Sequence, residues 1–218
     1  MILNLETANT IAEKLLQIKA IKLNVDQPFT WASGLKSPIY CDNRITLSFP
    51  ELRTYIRQQL AKAVQEHFDG IDVIAGVATA GIPQGVLVAE ALGLPFVYVR
   101  PEKKAHGLAN QIEGRLNSGQ SVVVVEDLVS TGKSSLAAVD ALREAGATVK
   151  GMVAIFTYGL KIADDNFARK NCSLITLSDY NHLIELAVSS NYVREDSKFA
   201  LMEWRKSPQN WSAKFENK

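Results

Sequence analysis

The chain has 218 residues, 47% of them apolar, which is enough for one domain of ordinary size with a sizeable core. A net charge of +1 creates no strong field for nucleic acid or a membrane surface, and no apolar run could span a bilayer. Cys41 and Cys172 are too few and too far apart for a disulfide framework or a zinc site. The N-terminus lacks a signal-peptide pattern, so we expect a cytoplasmic protein. The near-neutral charge and the missing apolar run lead us to expect no nucleic-acid or membrane partners.

The first predicted elements are a helix and a hairpin. Residues 7–21 place apolar side chains such as Ile11 and Leu15 on adjacent turns, which predicts an amphipathic helix outside the main sheet. Residues 29–44 combine aromatic and β-branched residues with Ser-Gly and Ser-Pro pairs, which predict two short strands and a turn. Composition alone favours a surface hairpin for this segment.

A second helix and a core strand lead to a loop of small residues. Ser48 as N-cap and Pro50 in the first turn mark the start of the helix. The strand at 71–75 runs into the loop 76–81, GVATAG, in which a non-trans peptide would indicate a functional constraint. Small side chains let backbone N–H groups approach an anion closely. Taken alone, the loop fits a tight structural turn better.

A long polar connection follows the third strand, at 96–99. Residues 101–120 contain three glycines, and the segment from Arg100 to His106 also carries Lys103 and Lys104. A connection of this length inside a compact domain is typically a lid or disordered. A mobile cationic lid could cover a diphosphate and exclude water from a reactive intermediate, whereas a solvated basic loop is the simpler alternative.

The most informative stretch is VVVVEDLVSTGKSS, at 122–135. Four valines predict a strand buried on both faces, the acids Glu126 and Asp127 follow it, and a helix begins near Ser134. A helix start favours a phosphate, while carboxylates accept hydrogen bonds from hydroxyl groups or face a hydrated cation. A ribose 5-phosphate would satisfy both halves of the stretch.

The same stretch could be confused with a nucleotide-binding P-loop, because Gly132-Lys133-Ser134 matches the end of that motif. The P-loop requires a further glycine at the position that Asp127 occupies. A carboxylate there would repel the phosphates, so we exclude an NTPase.

Three segments together resemble the type I phosphoribosyltransferases. Residues 126–134 resemble the family's phosphoribosyl-diphosphate signature, in which two acids hold the ribose hydroxyls and the loop wraps the 5-phosphate. The loop 76–81 resembles the diphosphate-binding loop, and 100–107 matches the pattern R-x-x-x-K-x-H-G of the lid. Residues 29–42 are similar to the hood of the orotate phosphoribosyltransferases, FTxxSGxxSPxYxD.

The resemblance implies an α/β fold with a mostly parallel central sheet flanked by helices, Rossmann-like, and a small N-terminal hood. We expect a single domain over 1–218, with the hood in 1–45, the core in 46–190 and a partly helical tail in 191–218. The implied reaction transfers the phosphoribosyl group from 5-phospho-α-D-ribose 1-diphosphate to orotate. Its products are orotidine 5′-phosphate and diphosphate, on the route to UMP.

The resemblance also assigns roles to residues of this chain. Lys104, His106 and Asp127 are the expected catalytic residues, and Ser130 is the expected orotate contact. The expected phosphoribosyl-diphosphate site consists of Arg100, Lys104, His106, Glu126, Asp127, Leu128, Val129, Ser130, Thr131, Gly132, Lys133 and Ser134. The expected cofactor is Mg²⁺, held by the diphosphate and ribose hydroxyls without a protein ligand cluster. The expected assembly is a homodimer whose lids reach the partner's site.

Two departures from the family pattern leave the base contacts open, because Ala32 stands where many relatives have a lysine and no arginine lies near Tyr158. A third departure, Lys133 in place of a residue that is usually small, concerns the phosphate site. Two alternatives therefore remain, a purine or uracil phosphoribosyltransferase and a non-catalytic regulatory relative that binds RNA. The hood disfavours the first alternative, and the near-neutral charge disfavours the second.

Overall fold

The computed structural model describes residues 1–102 and 111–215, so Lys103, Lys104, His106 and Gly107 of the expected lid lie outside the described residues. The strands, in chain order, are β1 (Ile21–Leu23), β2 (Phe29–Thr30), β3 (Lys36–Ser37), β4 (Ile39–Cys41), β5 (Val73–Val77), β6 (Phe96–Val99), β7 (Ile112–Glu113), β8 (Ser121–Val129), β9 (Thr148–Thr157) and β10 (Leu174–Asp179). The α-helices are α1 (Leu5–Gln17), α2 (Pro50–His67), α3 (Gly81–Leu92), α4 (Lys133–Glu144), α5 (Lys161–Arg169), α6 (Tyr180–Ser189), α7 (Ser197–Lys206) and α8 (Pro208–Ala213).

The central sheet has six strands in the order β10-β9-β8-β5-β6-β7. Neighbouring strands are parallel except for β7, which runs antiparallel to β6. The predicted α/β fold with a mostly parallel sheet is therefore confirmed. The chain moves outward from β5 to β6 and then crosses back to β8, on the other side of β5. Ligands of open α/β sheets bind at such a reversal, beyond the carboxyl ends of the strands.

The valine run of β8 is buried because both faces of the sheet are covered. Val123 and Val125 belong to one apolar cluster, whereas Val122 and Val124 belong to the cluster on the opposite face. All four side chains are fully buried. Alternate residues of a strand point to opposite faces, so four consecutive valines seal two cores at once.

The strand β8 is longer than the predicted 122–125, and it includes both acids. Its pairing with β9 continues through Val129, opposite Thr157, whereas its pairing with β5 ends at Val125, opposite Gly76. The acids Glu126 and Asp127 therefore lie on the strand, and the predicted end of the strand at Val125 was wrong. The segment 126–129 has a strand partner on one side only, which leaves its β5 side available to a ligand.

The start of α2 also differs from the prediction. Ser48 belongs to a 3-10 helix, Asn43–Ser48, and the N-cap of α2 is Phe49, which makes no side-chain capping bond. Pro50 does lie in the first turn, as predicted. The N–H of Phe49 donates to the carbonyl of Thr46, so the chain turns once before the helix can begin.

The hood consists of two small antiparallel sheets, β1 with β4 and β2 with β3. The C-terminal helices hold it in place. Trp204 of α7 meets Trp31 of the hood edge-on, with ring centroids 5.6 Å apart, and the backbone N–H of Lys36 donates to Ser212 Oγ of α8. Trp31 also stacks on Tyr158, just beyond β9. These contacts fix the hood above the carboxyl edge of the sheet.

None of the helices in the described ranges combines the length and the apolar character needed to cross a membrane.

The closest approach between α3 and β8 gives a test of the fold. A Cβ at Gly81 would lie 2.5 Å from the carbonyl oxygen of Val125. We therefore expect Gly81→Ala to lower the free energy of unfolding by about 1–3 kcal/mol, because strand or helix must shift. The control Ala80→Gly, at the N-cap of α3, adds no atom to the packing and should change the free energy of unfolding by only about a few tenths of a kcal/mol, because glycine is accepted at an N-cap at least as well as alanine. Equal urea midpoints for the two variants would contradict this packing.

Candidate active site

A cleft of about 800 Å³ lies at the carboxyl ends of β5, β6 and β8. Its walls come from the hood, the loop after β5, the end of β6 and the turn between β8 and α4; they include Ala32, Ser33, Ala78, Arg100, Leu128, Ser130, Thr131, Gly132, Lys133 and Ser134. A depression of about 870 Å³ between α1 and α2 contains none of the predicted site residues. The topological reversal and the predicted motifs therefore agree on the first cleft.

The turn from β8 into α4 is fixed on both sides. Gly132 has a left-handed backbone, with φ of 76°, and a Cβ there would lie 2.7 Å from the ring of Phe167. Asn166 Nδ2 donates to the carbonyl of Thr131 at 2.9 Å. The helix begins at Lys133, so the unpaired N–H groups of its first turn lie at the cleft wall. This arrangement suits a phosphate.

The two acids differ in exposure. Glu126 is 5% exposed, and its oxygens accept hydrogen bonds from the Asp127 N–H at 2.9 Å and from Ser135 Oγ at 3.0 Å. Burial and the neighbouring Asp127 raise the pKa of the Glu126 carboxyl well above its usual value. Asp127 is half-buried; burial raises the pKa of its carboxyl, against the effect of hydrogen bonds from Glu126 and the Leu128 N–H. Glu126 thus ties β8 to α4, while Asp127 is the more accessible acid.

The hood contacts the acid pair directly. The amide Nδ2 of Asn43 donates to the carbonyl of Asp127 at 2.7 Å, and Asn43 is 1% exposed. Cys41 Sγ donates to Asn43 Oδ1 at 3.3 Å, and burial, followed by the charges of Asp127 and Asp42, raises the pKa of the Cys41 thiol. The sequence interpretation included Asn43 in the hood but gave it no part in the site. The one available signal was a run of polar residues, Asp42 to Arg44, directly after a strand.

Tyr158 brings a hydroxyl group to the same region. Its backbone N–H donates to the carbonyl of Val129 at 3.1 Å, and its ring stacks on Trp31 with centroids 5.3 Å apart. Burial, followed by the charges of Cys41 and Asp127, raises the pKa of the phenol well above its usual value, so the hydroxyl stays protonated at neutral pH. No residue in 1–102 or 111–215 hydrogen-bonds this hydroxyl. The hydroxyl is not among the fully buried polar atoms without a partner, whereas the indole Nε1 of Trp204 is.

The loop after β5 and the end of β6 complete the cleft. The peptide between Ala78 and Thr79 is cis, as the sequence interpretation allowed, and the Ala78 N–H donates to the carbonyl of Val99 at 2.9 Å. Arg100 follows β6 and lies 3.7 Å from Glu113 (Nη1 to Oε1). The backbone N–H of Arg100 donates to the carbonyl of Gln111, which is the first described residue after residue 102.

The structure therefore brings most of the predicted phosphoribosyl-diphosphate residues to one edge of the sheet. Arg100, Leu128 and the turn 130–134 line the cleft. The side chain of Val129 is fully buried, so only its backbone is available to the site. The predicted catalytic residues Lys104 and His106 lie outside the described residues.

The comparisons with known proteins agree with this geometry. Residues 50–190 match the phosphoribosyl transferase domain family. The chain is 54% identical over 201 residues to an orotate phosphoribosyltransferase of Cytophaga hutchinsonii and 55% identical over 201 residues to one of Listeria innocua. Each alignment covers 92% of this chain and 96% of the relative.

Solved structures share the fold. The orotate phosphoribosyltransferase of Aeropyrum pernix superposes with a TM-score of 0.73 at 28% identity, over 84% of this chain and 99% of that one. The UMP synthase of Leishmania donovani superposes with a TM-score of 0.76 at 25% identity, over 91% of this chain and 42% of that one. The chain therefore belongs to the orotate phosphoribosyltransferase family within the phosphoribosyltransferases.

Proposed function

We propose that the cleft transfers the phosphoribosyl group of 5-phospho-α-D-ribose 1-diphosphate to orotate, forming orotidine 5′-phosphate and diphosphate on the route to UMP. The observation that carries the proposal is the placement of a phosphate-ready turn, 130–134, in the wall of a cleft at the reversal of one parallel sheet, with the partly exposed acid Asp127 on the strand that leads into the turn. A single ligand with a phosphate and a diol spans these two features.

The sugar is held at both ends in this proposal. The 5-phosphate accepts hydrogen bonds from the backbone of the turn and the first turn of α4, where the helix dipole also favours negative charge. Asp127 accepts hydrogen bonds from the ribose hydroxyls. Glu126 faces the same hydroxyls with its remaining lone pairs while Ser135 and the Asp127 N–H hold its carboxyl group in place.

The reaction breaks the bond between ribose C1 and the diphosphate oxygen and forms a bond between C1 and N1 of orotate. The sugar passes through an oxocarbenium-like state, and the departing diphosphate takes the electron pair. Arg100, Lys104 and His106 stabilise the leaving charge in this scheme, and Asp127 stabilises the cationic sugar through its hydroxyls. Closure of the lid excludes the water that would otherwise capture the sugar.

Magnesium fits the donors of the cleft. In residues 1–102 and 111–215, no group of three or more His, Cys, Asp and Glu side chains could hold a metal ion alone. Mg²⁺ is commonly bound through one or two carboxylates together with substrate phosphates, and Asp127, the more accessible acid, would supply such a carboxylate. When bound, the ion would neutralise charge on the diphosphate.

The base lies between the hood and the end of β9 in this scheme. Ser130 hydrogen-bonds the orotate ring. The hydroxyl of Tyr158, whose backbone N–H bonds the carbonyl of Val129, forms a second hydrogen bond to the ring. Support for Tyr158 comes from the stacking of its ring on Trp31, from the lack of a hydrogen bond between its hydroxyl and any described residue, and from the effect of Asp127 on its pKa.

The choice of base is tested by product formation. The purified protein with Mg²⁺ and phosphoribosyl diphosphate should convert orotate to orotidine 5′-phosphate and should leave adenine, hypoxanthine and uracil nearly unused. Preferential turnover of a purine would replace the proposal with the corresponding activity on the same scaffold.

A pair of isosteric variants tests the Tyr158 contact. We expect Tyr158→Phe to raise the KM for orotate by roughly 5- to 15-fold, the value of one hydrogen bond, without loss of stability. Tyr180→Phe is the control, because its hydroxyl donates to the carbonyl of Leu201 at 3.0 Å. It should lower the free energy of unfolding by about 1 kcal/mol and leave the KM unchanged. An unchanged KM for Tyr158→Phe would remove this contact.

Complementation tests the shared lid. We expect Asp127→Asn and Lys104→Ala each to lower kcat by roughly 100-fold, because each removes a charge that acts on the transition state. If the lid reaches the partner's site, a mixed dimer contains one site with both residues intact. Random mixing should then restore about a quarter of the parental activity, since half of the dimers are mixed and carry one intact site of two. Mixtures that stay as inactive as the single variants would show that each lid serves its own subunit.

The buried acid predicts a stability that depends on pH. The folded protein keeps a proton on Glu126 above pH 4.5, where the unfolded chain releases it, so the free energy of unfolding falls as the pH rises from about 4.5 through the raised pKa. Glu126→Gln removes this dependence. Its melting temperature should match the parent's near pH 4 and exceed it at pH 8, while activity is lost.

The control for that measurement is Glu66→Gln, which removes an acid that is half exposed beside Lys62. Its melting temperature should follow the parent's at every pH. The same behaviour in Glu126→Gln would show that burial of that carboxyl does not limit stability.

A further inference from the structure

The guanidinium group of Arg44 is held in a fixed orientation at the junction of hood and sheet. Its Nε and Nη2 donate to the two carboxylate oxygens of Asp42 at 2.7 and 2.9 Å. Asp42 also accepts a hydrogen bond from the Arg44 N–H as it caps the 3-10 helix. A guanidinium has five N–H donors, so this fork leaves three of them for another acceptor. The side chain is 64% exposed, which makes those donors accessible.

Arg44 is positioned relative to the acid pair by the residue before it. Asn43 is buried, and its amide donates to the carbonyl of Asp127 at 2.7 Å. The hydrogen bond with Asp42 raises the pKa of the Arg44 guanidinium most, and Asp127 adds a smaller effect; burial raises the pKa of the Asp127 carboxyl, and Arg44 opposes that rise only after Glu126 and the Leu128 N–H. The hydrogen bond from Asn43 to Asp127 places Arg44, the next residue, at the same junction.

The chemistry of orotate requires a cation in this region. Asp127 is proposed to hold ribose hydroxyls, which are one or two carbons from C1. N1 of orotate bonds to C1, and the carboxylate of orotate is on the ring carbon next to N1. The substrate thus brings a second negative charge close to Asp127, and like charges in a closed cleft repel strongly. Uracil lacks this carboxylate, so its binding requires no compensating cation.

The other described cations around the cleft are placed for different partners. Arg100 lies beside Glu113, and Lys133 begins the helix that faces the phosphate. Lys36 Nζ donates to Thr30 Oγ1 within the hood hairpin. Ala32, on the cleft wall, carries no charge.

We propose that Arg44 binds the carboxylate of orotate through its free N–H donors and is the residue that makes the site select orotate over uracil. The proposal rests on the proposed function, since it assigns a residue to the base of that reaction. Asp42 acts as a positioning residue that keeps the guanidinium group in one plane. An arginine fork held in this way suits bidentate recognition of a carboxylate.

The test compares two products that differ by one carboxylate. Binding of orotidine 5′-phosphate and of UMP to the intact protein is measured by calorimetry, together with kcat/KM for orotate at saturating phosphoribosyl diphosphate. Arg44→Gln should weaken orotidine 5′-phosphate binding by about 10- to 100-fold, the value of a charge-assisted hydrogen bond, and leave UMP binding unchanged. Arg44→Lys should lie between parent and Arg44→Gln, because it keeps the charge and loses the fork.

Arg194→Gln is the matched control. Arg194 forms an exposed pair with Asp196 two residues away, with Nε 3.0 Å from Oδ1, in the C-terminal part of the chain. It should bind both nucleotides as the parent does.

Two outcomes would overturn the inference while the proposed function stands. One is Arg44→Gln with parental affinity for orotidine 5′-phosphate, and the other is an equal loss for both nucleotides, which would place Arg44 on the phosphoribose. If the parent protein made no orotidine 5′-phosphate from orotate, the proposed function itself would fail, and the inference with it.

Discussion

The site depends on one asymmetry of strand pairing. The strand β8 is bonded to β9 as far as Val129, but β5 leaves it at Val125. Residues 126–129 therefore pair with a strand on the β9 side and with none on the β5 side, at the place where the chain order reverses. This pairing explains how Glu126 and Asp127 can be part of the sheet and still lie next to the cleft, whose wall includes Leu128 and the following turn and helix start.

Three other parts of the chain are attached to that extension. Asn43 of the hood bonds the carbonyl of Asp127, Tyr158 bonds the carbonyl of Val129, and Ser135 of α4 bonds the carboxyl group of Glu126. Each contact ties a different element to the last residues of β8 or to the acid pair. The C-terminal helices secure the arrangement, because Trp204 packs against both Trp31 and Tyr158. A tail far from the motifs in sequence therefore supports Trp31 of the hood and Tyr158, where the proposed base site lies.

The placement of charge in the cleft is matched to a substrate with two anionic ends. The phosphate end is served by a helix start and a fixed turn, which attract an anion without a large positive field. The acid pair at the centre is suited to hydroxyls and would repel a carboxylate. In the proposed scheme Arg44 at the hood junction is the compensating cation, and its fork with Asp42 orients the guanidinium group.

The sequence by itself determined the class of fold and the position of the main motif. The run of four valines predicted a doubly buried strand, and the acids, turn and helix start after it predicted a phosphoribosyl site, because these signals are local and follow from side-chain period and backbone geometry. It could not determine where β8 ends, since that depends on which neighbour pairs with residues 126–129. The prediction of Ser48 as an N-cap was wrong for a similar reason, because a 3-10 turn fixed by Thr46 and Phe49 precedes the helix. Only the tertiary structure decided that Asn43 and Tyr158 contact the end of β8, because contacts across more than eighty residues of chain, or from the end of the neighbouring strand, leave no pattern in the local sequence.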